Sequence, residues 1–134
     1  MAQGLIIVDS CVFIKAFRKD TQARNDLKNI EGRTAYSIIT QLELLIGANT
    51  KTKKEAITEI FESYYGIPVN AEISKKAVQI MQTYISGQQV LSVPDCLIAA
   101  TALVTGFPLL TYNTKDFNFI RGLQLFNQKD NKKK

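Results

Sequence analysis

The sequence predicts an α/β domain built on a central parallel sheet of about five strands flanked by helices. Two observations carry this. Short continuous apolar runs alternate with segments of helical period along the whole chain. The first of those runs, Leu5 to Val8, is apolar at every position rather than at every second one, the pattern of a strand covered on both faces.

Leu5 to Val8 is the first such run, and Thr21 to Ile30 reads as a surface helix. Thr34 to Ile39 predicts a second strand, and Thr40 begins a helix to about Ala48. Thr52 and Glu55 have the spacing of a capping box. The helix after them sets Ile57, Ile60, Phe61 and Tyr64 on one face, and Gly66 and Pro68 end it. Ile67 to Val69 predicts a short strand. From about Glu72 to Ile85, apolar residues again recur at helical spacing. Ser92 and Pro94 then open a helix that ends near Gly106. Leu109 to Thr111 and Leu123 to Phe126 predict the last two strands. Residues 1–127 read as one domain and 128–134 as a solvated basic tail.

Composition narrows the chemistry. The chain of 134 residues is 46% hydrophobic, enough for one core. Its longest apolar stretch, Leu97 to Leu110, is interrupted by Thr101, Thr105, Gly106 and Pro108, too short for a membrane span. The N-terminal run lacks a basic leader, so a cytoplasmic protein is expected. Histidine is absent, which removes Ser-His-Asp and Cys-His catalysis and histidine metal sites. Cys11 and Cys96 are too few for a zinc site and read as small buried hydrophobes. Net charge is +5, of which the tail 129–134 holds +3, so the body is only mildly basic and weakly favours an anionic partner.

Most of the twelve acidic residues, among them Asp20, Asp26, Glu31 and Glu55, lie among polar neighbours, as solvated helix faces do. Four do not. Asp9 stands between two apolar runs, where a bare carboxylate is costly unless a cation or several donors meet it; as a helix N-cap it would be satisfied locally. Glu43 sits in Thr-Gln-Leu-Glu-Leu-Leu-Ile, and its spacing from Thr40 also fits a capping box. Asp95 opens a helix apolar nearly all round, where the helix dipole alone favours an acid. Asp116 follows a strand in a polar loop, where turn capping is the ordinary role. Each acid lies where a strand ends or a helix begins, and in an α/β sheet those points share one edge. Four carboxylates there repel one another unless a divalent cation joins them. An all-oxygen donor set selects Mg²⁺ or Mn²⁺, ions suited to phosphate esters.

The motifs in order are Ile-Val-Asp-Ser-Cys-Val-Phe-Ile at 7–14, Ser-Ile-Ile-Thr-Gln-Leu-Glu-Leu-Leu-Ile-Gly at 37–47, Pro-Asp-Cys-Leu-Ile-Ala-Ala-Thr-Ala-Leu at 94–103 and Leu-Leu-Thr-Tyr-Asn-Thr-Lys-Asp-Phe at 109–117. Together they resemble the PIN-domain nucleases, and within them the VapC-type toxins of toxin–antitoxin pairs, over residues 5–126. The resemblance implies a PIN-like fold and a Mg²⁺- or Mn²⁺-dependent endoribonuclease. It implies Asp9, Glu43, Asp95 and Asp116 as the acidic site, Asn113 as a further site residue, and Ser10, Ser37 and Thr111 as supporting hydroxyls. It also implies an antitoxin partner and a homodimer. Asn113 stands where many relatives carry an acid, which lowers the charge of any second metal position. Lys15, Arg18, Lys115 and Arg121, close in sequence to these residues, are candidates for flanking RNA phosphates. Two rivals stand beside this reading: a phosphatase or phosphotransferase with Asp9 as nucleophile, and an inactive module that binds RNA or an antitoxin.

Overall fold

The computed structural model describes residues 4–127; the basic tail lies outside them. Four parallel strands stand in the order β3-β2-β1-β4. They are β1 (Ile6–Val8), β2 (Thr34–Ser37), β3 (Tyr65–Ile67) and β4 (Leu109–Leu110). The helices are α1 (Ser10–Phe17), α2 (Thr21–Asn29), α3 (Ile38–Ile46), α4 (Lys51–Glu62), α5 (Ala71–Tyr84) and α6 (Val93–Thr105), followed by a 3₁₀ turn at Thr114–Asp116.

At the sheet edge β3 is largely open to solvent, whereas β1 and β4 are short but buried, which explains their apolar runs: Ile6, Ile7 and Val8 are each 0% exposed. Their side chains alternate between two cores. Ile7 and Leu109 pack with α5 and α6 on one face. Ile6, Val8 and Leu110 pack with α1, α3 and α4 on the other, around Phe13 and Phe61. The rings of Phe13 and Phe61 meet edge to face at 5.1 Å, and Tyr64 joins them as a packing residue.

All six α-helices start on a side chain that bonds to the first turn: Asp9, Asp20, Ser37, Thr50, Asn70 and Ser92. Each such cap stabilises its helix by about 1 kcal/mol. Gly106 ends α6 with φ at 79°, a left-handed cap that favours glycine.

Several expectations are corrected. The second strand ends at Ser37 and the helix begins at Ile38, because the Ser37 hydroxyl accepts from the Ile39 N–H at 3.1 Å and turns the chain there. Thr40 and Glu43 therefore form no capping box; both lie within α3. Likewise Thr50, not Thr52, caps α4, accepting from the Lys53 N–H at 3.1 Å. The third strand comes two residues earlier than Ile67 to Val69 predicts. Leu123 to Phe126 does not make a full fifth strand: Leu125 forms a single parallel bridge to Leu109. Asp26 is not on a solvated face but is 5% exposed, its carboxylate accepting a short hydrogen bond from the Tyr112 hydroxyl. Among the described residues no helix is long and apolar enough to cross a membrane.

Candidate active site

The C-terminal ends of β1, β2 and β4 carry Asp9, Ser37 and Thr111, side by side because the strands are parallel and adjacent. α1 leaves this edge directly from Asp9, and α3 leaves it directly from Ser37.

Asp9 is 3% exposed, and donors surround its carboxylate. Oδ1 accepts from the Ser10 N–H at 2.8 Å, so Asp9 does cap α1. Oδ2 accepts from the Thr111 hydroxyl at 2.8 Å and from the Cys11 thiol at 3.4 Å. The cap and the site are compatible, because one oxygen serves each. Three bonds are enough to make so buried a carboxylate tolerable, where a bare one would cost several kcal/mol, of order 5. The 111–113 segment is stitched to this group. Thr111 Oγ1 accepts from the Asn113 N–H at 3.0 Å, and Cys11 Sγ accepts from the Tyr112 N–H at 3.4 Å. Cys11 is thus half-buried among polar atoms rather than an apolar filler, and burial, then the Asp9 charge, push its thiol pKa up. Cys96 is buried as expected, its thiol on the Ala77 carbonyl.

Glu43 reaches the same edge from α3. Its pKa is raised, first by burial and then by the Asp9 charge, with Asp95 adding to the rise and the Ser10 hydroxyl opposing it. Its Oε1 is buried without a hydrogen-bond partner, as is Thr40 Oγ1 one turn before it. Asp95 lies in the first turn of α6, half-buried, and its pKa is raised by burial, then by Asp9 and Asp116, against a bond with Ser92. Asp116 is exposed in the 3₁₀ turn. The mutual electrostatic effects link Asp9 to Glu43 and Asp95, and Asp95 to Asp116. The four acids share one region but stand apart: among the described residues no three acid or thiol side chains are gathered closely enough to ligate one ion as they stand.

The hydroxyls divide. Thr111 and Ser10 touch the acids, whereas Ser37 is 0% exposed and spends its oxygen capping α3. Asn113 is exposed beside Thr111. Of the cations, the Lys15 ammonium lies 5.2 Å above the Tyr112 ring, and Lys115 is exposed next to Asp116. Arg18 lines a groove of about 620 Å³ that also touches Glu43, with Arg24 and Lys53 on its rim and Ile14, Ile57 and Ile60 in its wall. Arg121 is exposed, its backbone N–H donating to the Tyr84 hydroxyl. Sequence reasoning missed Cys11 and Tyr112. Cys11 carries a usable signal: it stands two residues after Asp9 at the start of a helix.

In a parallel α/β sheet ligands bind beyond the C-terminal ends of the strands, and here acids gather at that edge. Residues 6–122 match the family model described as PIN domain, and the chain belongs to that family. It is 30% identical over 122 residues to Ribonuclease VapC10 of Mycobacterium tuberculosis, an overlap of 90% of this chain and 91% of that protein. It is 31% identical over 127 residues to Ribonuclease VapC1 of Rickettsia felis, covering 90% and 93%. Among solved structures it resembles a chain of a toxin–antitoxin complex from Klebsiella pneumoniae, with a TM-score of 0.76, 28% identity and coverage of 88% and 94%. It shares its fold with VapBC2 from Rickettsia felis bound to a promoter DNA fragment, with a TM-score of 0.78 at 22% identity over 92% and 98% of the chains.

Proposed function

We propose that this chain is a divalent-metal-dependent endoribonuclease, the toxin of a toxin–antitoxin pair, with Asp9, Glu43, Asp95 and Asp116 as its acidic site. The observation that carries the reading is the buried, partnerless Oε1 of Glu43 beside a nearly solvent-free Asp9. A buried carboxylate oxygen with no donor is rare, and a cation or its water shell supplies what is missing. With hard oxygen donors and no imidazole, the fitting ions are Mg²⁺ and Mn²⁺. Asp9, Asp95 and Asp116 would hold the ion, and Glu43 would bind it or its water. When bound, such an ion polarises a phosphoryl oxygen and acidifies a water molecule.

The rest is done by the chain itself. The Ser10 N–H, Thr111 hydroxyl and Cys11 thiol hold the Asp9 carboxylate in one orientation and leave it lone pairs to spend. Glu43 orients the attacking water and takes its proton at Oε1. Attack in line on the RNA phosphorus breaks its bond to the 3′ oxygen, which takes a proton from solvent water, and leaves a 3′-hydroxyl and a 5′-phosphate. Lys15, Arg18, Lys115 and Arg121 are proposed to hold neighbouring phosphates. A phosphatase with Asp9 as nucleophile would want a second acid two residues on, and Cys11 stands there instead. A pure RNA-binding module would gain nothing from four acids facing phosphate.

The antitoxin is proposed to cover the groove beside Glu43, whose apolar wall and cationic rim suit an amphipathic segment carrying acids. The VapC ribonucleases it resembles and the solved toxin–antitoxin complex from Klebsiella pneumoniae support such a partner. Homodimer formation has support in Leu42 and Ile46, 51% and 85% exposed four residues apart on α3. A cytoplasmic location belongs to the same reading.

Incubating the full-length protein with single-stranded RNA tests the activity. Cleavage should require Mg²⁺ or Mn²⁺, stop with EDTA and disappear in Asp9→Asn. Cleavage by Asp9→Asn at the wild-type rate would place the site elsewhere.

A further inference from the structure

Beside the acidic edge, between the start of α2 and the end of β4, lies an open cavity of about 910 Å³. We propose that it receives one unpaired base of the RNA substrate, the base of the nucleotide at the scissile phosphate, and so reads sequence. The inference rests on the nuclease reading above.

The lining suits a base and little else. Gln22 and Asn25 put amides on its rim; Tyr112, Phe126 and buried Leu110 give it an apolar floor. Among the described residues Asp26 lines it and no lysine or arginine does, which disfavours a phosphate there. A flat neutral heterocycle meets aromatic and aliphatic faces, with amides able both to donate to and accept from its edge. Two hydrogen bonds hold Tyr112 in this floor. The Tyr112 hydroxyl is bonded to Asp26, and its N–H to Cys11 Sγ at 3.4 Å.

Position ties the cavity to the chemistry. Thr111 lines it while donating to Asp9 Oδ2 at 2.8 Å. Thr114 also lines it and opens the 3₁₀ turn that carries Asp116. One segment, 111–116, is therefore a wall of the cavity and part of the acidic edge. In this arrangement Lys15, 5.2 Å above the Tyr112 ring, would take the phosphate next to such a base. A backbone crossing the acids with one base turned into the cavity satisfies both halves.

The test uses ¹⁵N-labelled full-length Asp9→Asn, which should bind without cutting, in Mg²⁺. It is titrated with four pools of single-stranded RNA hexamers, each fixed at one central base. One pool should bind about tenfold more tightly than the others and move the Gln22, Asn25 and Thr114 amides. The double substitution Gln22→Ala/Asn25→Ala, at two exposed positions of α2, should erase that preference while leaving the spectrum folded. In the wild-type background the same pair should flatten base preference at one position of the cleavage site. Silence of those amides, or a base preference untouched by the double substitution, overturns the proposal. RNA cut normally with silent cavity amides removes the base pocket alone. A base bound in the cavity by a wild-type protein that never cuts in Mn²⁺ removes the nuclease reading and leaves the pocket.

Discussion

Asp9 and Asp26 are both nearly cut off from water, at 3% and 5% exposure, in settings that differ in kind. Asp26 accepts from a tyrosine hydroxyl that joins α2 to the end of β4, a neutral donor for a charged acceptor. Burial and this bond push the Tyr112 pKa well above its ordinary range, so it stays a donor. Asp9 also has its donors, but its charge bears on Glu43 and Asp95, and a Glu43 oxygen nearby has no partner at all. Burial of an acid thus does not mark a site. Like charges gathered around it, with an oxygen left unsatisfied, do.

The comparison breaks most readily at Asp9. Asp9→Asn keeps the size but removes one charge and turns one of the two accepting oxygens into a donor. RNA cleavage should fall by more than about 100-fold, the upper figure for losing even an outer-sphere partner of a metal ligand. The metal-free thermal midpoint should hold or rise, because Glu43 and Asp95 lose a repelling neighbour. A lower midpoint with full activity would make Asp9 an ordinary structural acid like Asp26.

Thr111→Val removes the hydroxyl that orients Asp9 Oδ2 and keeps the shape. Mn²⁺ affinity, read by calorimetry, should weaken by about 10–100-fold. An unchanged affinity would mean that Asp9 needs no such support.

Asp26→Ala should do the reverse of Asp9→Asn. Stripping the acceptor from a half-buried tyrosine hydroxyl costs about 1–3 kcal/mol, measurable as a lowered urea midpoint. Mn²⁺ affinity should stay where it was. Loss of metal binding without loss of stability would place Asp26 in the metal site.

The smallest effect is with pH. Burial first, then neighbouring carboxylates, raise the Glu43 and Asp95 pKa values. The metal-free fold therefore keeps protons that the unfolded chain gives up. The stability tied to these protons is whole below the unfolded values, about 3.9–4.3, and is lost as pH climbs through the raised folded ones. In EDTA the midpoint of Glu43→Gln should fall less over that window than the wild type's. Equal slopes would mean that Glu43 does not feel its neighbours.

What the sequence made legible follows the same line. Asp9 stands out because apolar runs flank it, and Asp95 because the helix after it is apolar. Both signals are local. Asp26 sits in Thr-Gln-Ala-Arg-Asn-Asp-Leu-Lys-Asn, a polar string, and its burial depends on Tyr112, 86 residues away. No local pattern contains that. Glu43 was ambiguous because its spacing from Thr40 fits a cap; the strand passes into α3 without a loop, so Ser37 caps instead. The parallel sheet was readable from its buried runs. The fifth strand was not, because Leu123 to Phe126 has the pattern while only Leu125 makes the bridge. The base cavity draws on three segments far apart in sequence and left no trace in any one of them.

A thermal melt of the full-length protein at neutral pH, with and without Mn²⁺, tests most directly whether these acids share an ion. Mn²⁺ at about 100 times its dissociation constant should add about 2.7 kcal/mol and raise the midpoint. The gain should vanish in Asp9→Asn. A wild-type midpoint indifferent to millimolar Mn²⁺ and Mg²⁺, or an equal gain in Asp9→Asn, would contradict a metal site built on Asp9.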